Sequence, residues 1–118
     1  MNIEELRAYC LSLGEVEEKF PFSRFNGGKD ILVFYVGGYM YCYLDIKNLT
    51  AVNMKADKTE IPALKEQYDV VSDPYHASAK YWIGVDATRC PDDLLKKLIK
   101  ESFDIVLKKS IRHPKVRK

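Results

Sequence analysis

The chain has 118 residues and a net charge of +2, with 47% apolar and 31% charged side chains, which excludes a disordered or low-complexity polymer. A chain of this mass hides about two-thirds of its surface on folding, enough for one unstapled core, and no apolar run approaches the roughly 18 residues that a membrane helix needs. The first residues, Met1-Asn2-Ile3-Glu4-Glu5, lack a basic start and an apolar stretch, so no secretory signal is expected and a cytoplasmic location is.

In chain order, residues 3–13 read as an amphipathic helix, with Ile3, Leu6, Cys10 and Leu13 at helical spacing, Glu4 and Glu5 in the first turn and Gly14 at the end. Residues 15–30 read as a loop pinned to the core by Phe20-Pro21-Phe22. Residues 31–36 and 39–44 are β-rich runs separated only by Gly37-Gly38, the signature of a two-residue hairpin, and a third strand follows at 49–54. Residues 57–68 predict a second helix, capped by Asp57 with Glu60 three positions on, although Pro62 is uncomfortable inside it. Two short strands, 70–71 and 81–85, flank a turn-rich connection. A long helix spans 92–109, opened by Asp92 and Asp93 and closed by Lys108 and Lys109, with its apolar stripe running through Leu95, Leu98, Ile99, Phe103 and Val106.

The resulting order, α-β-β-β-α-β-β-α, predicts a single two-layer α+β domain over residues 1–118, with a five-stranded antiparallel sheet and helices packed on one face, and with 110–118 as a frayed basic tail. Leu6, Cys10, Val33, Cys42, Leu98, Phe103 and Val106 are expected in the core. The three cysteines, Cys10, Cys42 and Cys90, are far apart and form no CxxC, which predicts free buried thiols and argues against a disulfide framework or zinc site.

Candidates for chemistry are few. Only His76 and His113 could serve a nucleophile as base, and no nucleophile elbow, zinc-protease motif or phosphate loop is present. Gly27-Gly28-Lys29 precedes a strand instead of opening a helix, so it lacks the helix end on which phosphate loops depend. No enzyme activity, catalytic residue, cofactor or metal is expected. In the hairpin, a straight two-residue turn would pair Phe34 with Tyr41 and Leu32 with Tyr43, so one face would carry Phe34, Tyr39, Tyr41 and Tyr43 and the other Val33, Cys42 and Leu44. The tyrosine-bearing face is either covered by loops or a second copy of the chain, or is a platform for nucleobases or a peptide. Trp82 reads as an anchor at the sheet edge, with His76 holding the preceding loop by hydrogen bonds, or else His76 and Lys80 reach a phosphate from that loop.

Cations cluster at the end of the chain. Lys108, Lys109, Arg112, Lys115, Arg117 and Lys118 occur there without an acid, which leaves −4 for the residues before them. With Lys80, His76 and, more weakly, Lys55, they are the candidate nucleic-acid contacts.

Five segments resemble the MmcQ/YjbR family of small bacterial proteins. Glu18-Lys19-Phe20-Pro21-Phe22 resembles its acidic-then-Phe-Pro-Phe loop, and Gly38-Tyr39-Met40-Tyr41 its Gly-Lys-Met-Phe strand start. Met54-Lys55-Ala56-Asp57 resembles its Leu-Lys-Cys-Asp helix entry. His76 to Trp82 resembles its His-Met-Asn-Lys-Lys-His-Trp segment, and Ser102-Phe103-Asp104-Ile105-Val106 its Ser-Tyr-Asp-Leu-Val helix. Ala77-Ser78-Ala79 and Tyr81 depart from the pattern, so only His76, Lys80 and Trp82 carry over there, and a phosphate role of the family lysine at the Ala79 position would pass to Lys80. The resemblance implies a fold like that of type III secretion chaperones and, less closely, frataxin-like proteins. It also implies a non-enzymatic, weakly DNA-binding or regulatory role with a double wing of hairpins. A frataxin-like use of iron needs a dense acidic ridge, and here Glu4 and Glu5 share their helix with Arg7. The alternative is a chaperone-like adaptor that binds protein, or a second copy of itself, through the tyrosine-bearing sheet face. No membrane partner is expected.

Overall fold

The structure, a computed structural model, describes residues 1–115. Three helices and six strands follow one another as α1 (Ile3–Ser12), β1 (Val16–Lys19), β2 (Ile31–Val36), β3 (Tyr39–Asp45), β4 (Asn48–Lys55), α2 (Ile61–Gln67), β5 (Val71–Ser72), β6 (Trp82–Val85) and α3 (Asp92–Arg112). The strands form one antiparallel sheet in the order β1-β2-β3-β4-β6-β5. The α+β class therefore stands, with six strands in place of five.

The additional strand is β1, within the segment that reads as a loop. Three of its four residues are charged, which masks the strand signal, yet Val16 pairs with Val36 and Glu18 with Phe34 at the sheet edge. An edge strand with one exposed row tolerates this composition, and charge there discourages pairing with another chain. Arg7 of α1 forks onto the Glu18 carboxylate and ties the first helix to this edge.

Local capping sets where the first two helices start. Asn2 accepts from the Glu5 N–H at 2.8 Å and Glu5 accepts from the Asn2 N–H at 3.1 Å, a closed capping box that starts α1. The box expected at Asp57 does not form. Asp57 Oδ1 instead accepts from the N–H and hydroxyl of Thr59, a tight local turn, and α2 starts at Ile61 with Pro62 in its first turn, where a missing N–H costs nothing. At the other end of the chain α3 runs one turn beyond the predicted 109, so Ser110 to Arg112 belong to a helix and not to a frayed tail.

The core joins Leu6 and Cys10 of α1 to Leu32, Phe34, Cys42 and Leu44 of the hairpin and to Leu98, Ile99, Phe103 and Val106 of α3. All seven residues expected to be buried are buried. Val33, however, lies outside this cluster, because its side chain is on the opposite face of the sheet. The three cysteines are free and buried.

The hairpin register supplies the main correction. Val36 pairs with Tyr39 and Tyr35 with Met40, but then Phe34 pairs with Cys42, Val33 with Tyr43 and Leu32 with Leu44. Tyr41 is the extra residue of a β-bulge, and beyond it every pair slips by one position. Phe34, Tyr41 and Cys42 thus share the helix-facing side, where Tyr41 is fully buried, donates to the Cys10 carbonyl at 2.9 Å and meets Phe103 edge-on at 5.5 Å. The tyrosine face is therefore not open: of its four expected members, Phe34, Tyr39 and Tyr41 lie on the helix-facing side, where Phe34 and Tyr41 are core and Tyr39 packs beside α3, and the bulge turns Tyr43 to the other face.

Candidate functional site

Two neighbouring concavities collect most of the chemistry-bearing side chains. The first is a groove of about 290 Å³ between the hairpin tip, the end of β4 and the C-terminal half of α3. Its lining includes Lys55, Lys109 and Lys115 among Tyr35, Tyr39 and Trp82, and no carboxylate. Among the described residues none of these three ammonium groups has an ion-pair partner. They rest instead on aromatic faces. Lys109 and Lys115 lie 4.7 and 4.5 Å from the Tyr39 ring centre, and Lys55 lies 5.4 Å from both Tyr81 and Trp82. The ring quadrupole attracts each cation without neutralising it, so the groove holds concentrated positive charge.

Each lysine is placed by a distinct device. Ser102, buried on α3, donates its hydroxyl to the Lys55 carbonyl and holds the end of β4 against the helix. Lys109 projects from the last turns of α3, and Lys115 is brought back over the hairpin by the chain beyond the helix, where the Tyr39 hydroxyl donates to the His113 carbonyl at 2.6 Å. The Lys55 ammonium is pushed below the usual lysine range, first by burial and then by the charge of Lys109. An anion in the groove would relieve both costs.

The second concavity, of about 570 Å³, lies on the sheet face away from the main core. Its floor is Ile31, Met40, Tyr43 and Trp82, with Tyr43 and Trp82 tilted at 58° and 5.4 Å apart. One wall is a run of linked turns in which Phe25 N–H bonds the Phe22 carbonyl, Gly28 N–H that of Phe25 and Ile31 N–H that of Gly28. Gly28 is required there, since a Cβ would sit 2.3 Å from the Phe22 carbonyl oxygen. Phe22 accordingly borders this cavity and does not pin the loop to the core.

The opposite wall is the loop from Tyr75 to Ser78. Buried Asn53 accepts from the Tyr75 N–H at 2.8 Å, and the Tyr43 hydroxyl donates to the Tyr75 carbonyl. The loop is therefore held through Asn53 and Tyr43, not through the expected hydrogen bonds of His76, whose ring packs edge-on against Tyr75 at 4.1 Å. His76 has φ of 60°, the one positive φ outside glycine among the described residues, and this directs the chain around the cavity mouth.

Of the residues predicted as nucleic-acid contacts, Lys55, Lys109 and Lys115 come together in the groove. Lys80 flanks them, its ammonium 5.8 Å from the same Tyr81 ring that Lys55 uses. His76 lines the second cavity instead, Lys108 and Arg112 are exposed on α3 outside the groove lining, and Arg117 and Lys118 lie outside the described residues. Sequence patterning does not single out Tyr35, Met40 or the turns of residues 22–28. The hairpin pairing sets Tyr35 beside Met40, and the linked turns before β2 bring Phe22 to Gly28 to the cavity wall.

Lysines set on aromatic rings beside an aromatic cavity give this small α+β domain one concave, cation-rich surface. The YjbR family model matches residues 11–105, and the chain belongs to the YjbR family. It is similar to the crystal structure of the Deinococcus radiodurans protein DR2400, described as carrying domain DUF419: the two share 28% identity over 92% of this chain and 80% of that one, with a TM-score of 0.79. A crystal structure of a Pseudomonas syringae protein shares the fold at a TM-score of 0.74, with 17% identity over 90% of this chain and 99% of the other. No curated protein matches.

Proposed function

We propose that the protein is a non-catalytic nucleic-acid-binding protein whose phosphate contact is the groove of Lys55, Lys109 and Lys115, with Lys80 on its flank. The observation that supports this reading is the convergence of three cations, separated by 60 residues of chain, in one groove whose lining has no acid. Ammonium groups held on aromatic rings keep their charge and lose rotamer freedom in advance, which favours contact with a regular array of phosphates. DNA is the first substrate to test. The peptide-binding alternative relied on an open tyrosine face, and three of its four residues, Phe34, Tyr39 and Tyr41, lie under the helices.

A salt titration of binding to a short DNA duplex tests the proposal. Affinity should fall steeply with salt, and Lys109→Ala/Lys115→Ala should flatten the log–log slope by up to about 0.9 for each phosphate that the variant no longer neutralises. Lys108→Ala, outside the groove, should leave the slope nearly as it is. A folded double variant with the parent's slope and affinity would refute the assignment.

A further inference from the structure

The groove and the cavity are not independent features, because Met40 and Trp82 line both. A single molecule can therefore lie across this shared wall, with an apolar part on one side and an anionic part on the other. The cavity volume of about 570 Å³ falls within the range of small-molecule sites, and its lining is aromatic, with polar groups of Asn26, His76 and Ser78 among it. Flat rings stacked or tilted against Tyr43, Phe22 and Trp82 would fill it, and the heteroatoms of such a ring could find those polar side chains. The charge on the other side of Trp82 comes from Lys55, Lys109 and Lys115.

We infer that the cavity takes the base of a nucleotide while the phosphate of that nucleotide lies on the lysine groove. The nucleotide can be free or can be an unpaired residue of a strand, since both present the same ring and phosphate. This inference rests on the proposed function for its anionic half, and adds that an unpaired base is read in the cavity. Preformed walls support it. The Phe22 to Ile31 turns are closed by backbone hydrogen bonds, and the Tyr75 loop is held by the Asn53 and Tyr43 side chains, so both walls are fixed by the protein's own bonds.

Trp82 is the sole tryptophan of the chain, so its fluorescence reports directly on the shared wall. The protein should be titrated with adenosine monophosphate, ribose 5-phosphate, inorganic phosphate, a single-stranded oligoadenylate and a duplex of matched length. Adenosine monophosphate should shift Trp82 emission and bind at least about tenfold more tightly than ribose 5-phosphate, because stacking adds to the phosphate contact. Two cavity variants separate the halves. Ala77→Phe places a ring in the cavity, and Phe25→Ala removes an exposed wall residue with little risk to folding. Both should weaken binding of adenosine monophosphate or oligoadenylate several-fold and leave duplex affinity unchanged.

Selective weakening of oligoadenylate alone identifies the strand as the source of the base, and selective weakening of adenosine monophosphate alone identifies the free nucleotide. Equal binding of adenosine monophosphate and ribose 5-phosphate, with oligoadenylate bound no better than duplex, would overturn the cavity assignment. Cavity variants that bind adenosine monophosphate and oligoadenylate as the parent does would also overturn it. In either case, salt-dependent duplex binding through the lysines would leave the proposed function standing. Binding of adenosine monophosphate without affinity for any polynucleotide would retain the cavity inference and refute the nucleic-acid reading. No binding of any probe would overturn both.

Discussion

Tyr41 is a large core side chain carried at a β-bulge. Its ring fills the helix-facing core and its hydroxyl satisfies a helix carbonyl, so the bulge that carries it is stabilised by both apolar burial and a buried hydrogen bond. Tyr41→Phe keeps the ring and removes the bond, and should cost about 1 kcal/mol in urea unfolding, whereas Tyr41→Ala should cost about 3–5 kcal/mol through the cavity it leaves. Burial also raises the ionisation of Tyr41 above the ordinary tyrosine range and pushes Tyr43 up from 10.0 to about 12. In the native state both phenols hold their protons at a pH where the unfolded chain releases them. Stability is therefore full below about pH 10 and falls as pH rises through 10 towards 12. Urea midpoints across this window should decline, and Tyr43→Phe should make the decline shallower. At the same scale, Lys55 loses its proton below the usual lysine range, so phosphate binding should begin to weaken at a lower pH in the parent than in Lys55→Arg.

At the scale of elements, the hairpin turn is constrained by a helix distant in sequence. Gly37 and Gly38 both have positive φ, 58° and 82°, as a two-residue turn of this hand demands. Alanine at either position incurs about 1–2 kcal/mol of left-handed strain. At Gly37 the new Cβ would also lie 2.3 Å from the Ser110 Cβ of α3, whereas at Gly38 it would meet only the flexible end of Lys115 at 3.0 Å. Gly37→Ala should therefore be clearly the more destabilising in denaturant unfolding. Combining it with Ser110→Gly should recover part of the difference, and additive costs would show that the turn and α3 do not press on each other. The extra turn of α3 beyond residue 109 places Ser110 there and sends the following chain back over Tyr39. Sequence patterning located α3, the hairpin and its turn because periodicity and glycine pairs are local signals. It missed β1 because charged edge strands lack such a signal, and it misplaced the start of α2 because Asp57 had two local partners to choose from and took Thr59.

Over the whole molecule, the nearly balanced net charge hides a polarised surface in which Lys55, Lys109 and Lys115 come together without a neutralising acid at their groove. Ser102 supports this arrangement from the core, so Ser102→Ala should both lower stability by about 1–2 kcal/mol and weaken the proposed DNA binding through a loosened Lys55, measured together by urea unfolding and a salt titration. Composition and patterning by themselves determined the α+β class, the helix stripe, the hairpin, the buried free cysteines and the richness of the last residues in cations. They determined these because each depends on neighbours within a few residues or on whole-chain averages. The faces of the sheet were decided only by tertiary structure, because one inserted residue at Tyr41 leaves Tyr39 and Tyr41 on the helix-facing side but turns Cys42 and Leu44 onto it and Tyr43 away from it. The candidate site was decided at the same level. Lys55 is 54 residues from Lys109 in the chain, and only the packing of α3 across the sheet, with the bulged hairpin beneath it, sets them in one groove beside an aromatic cavity.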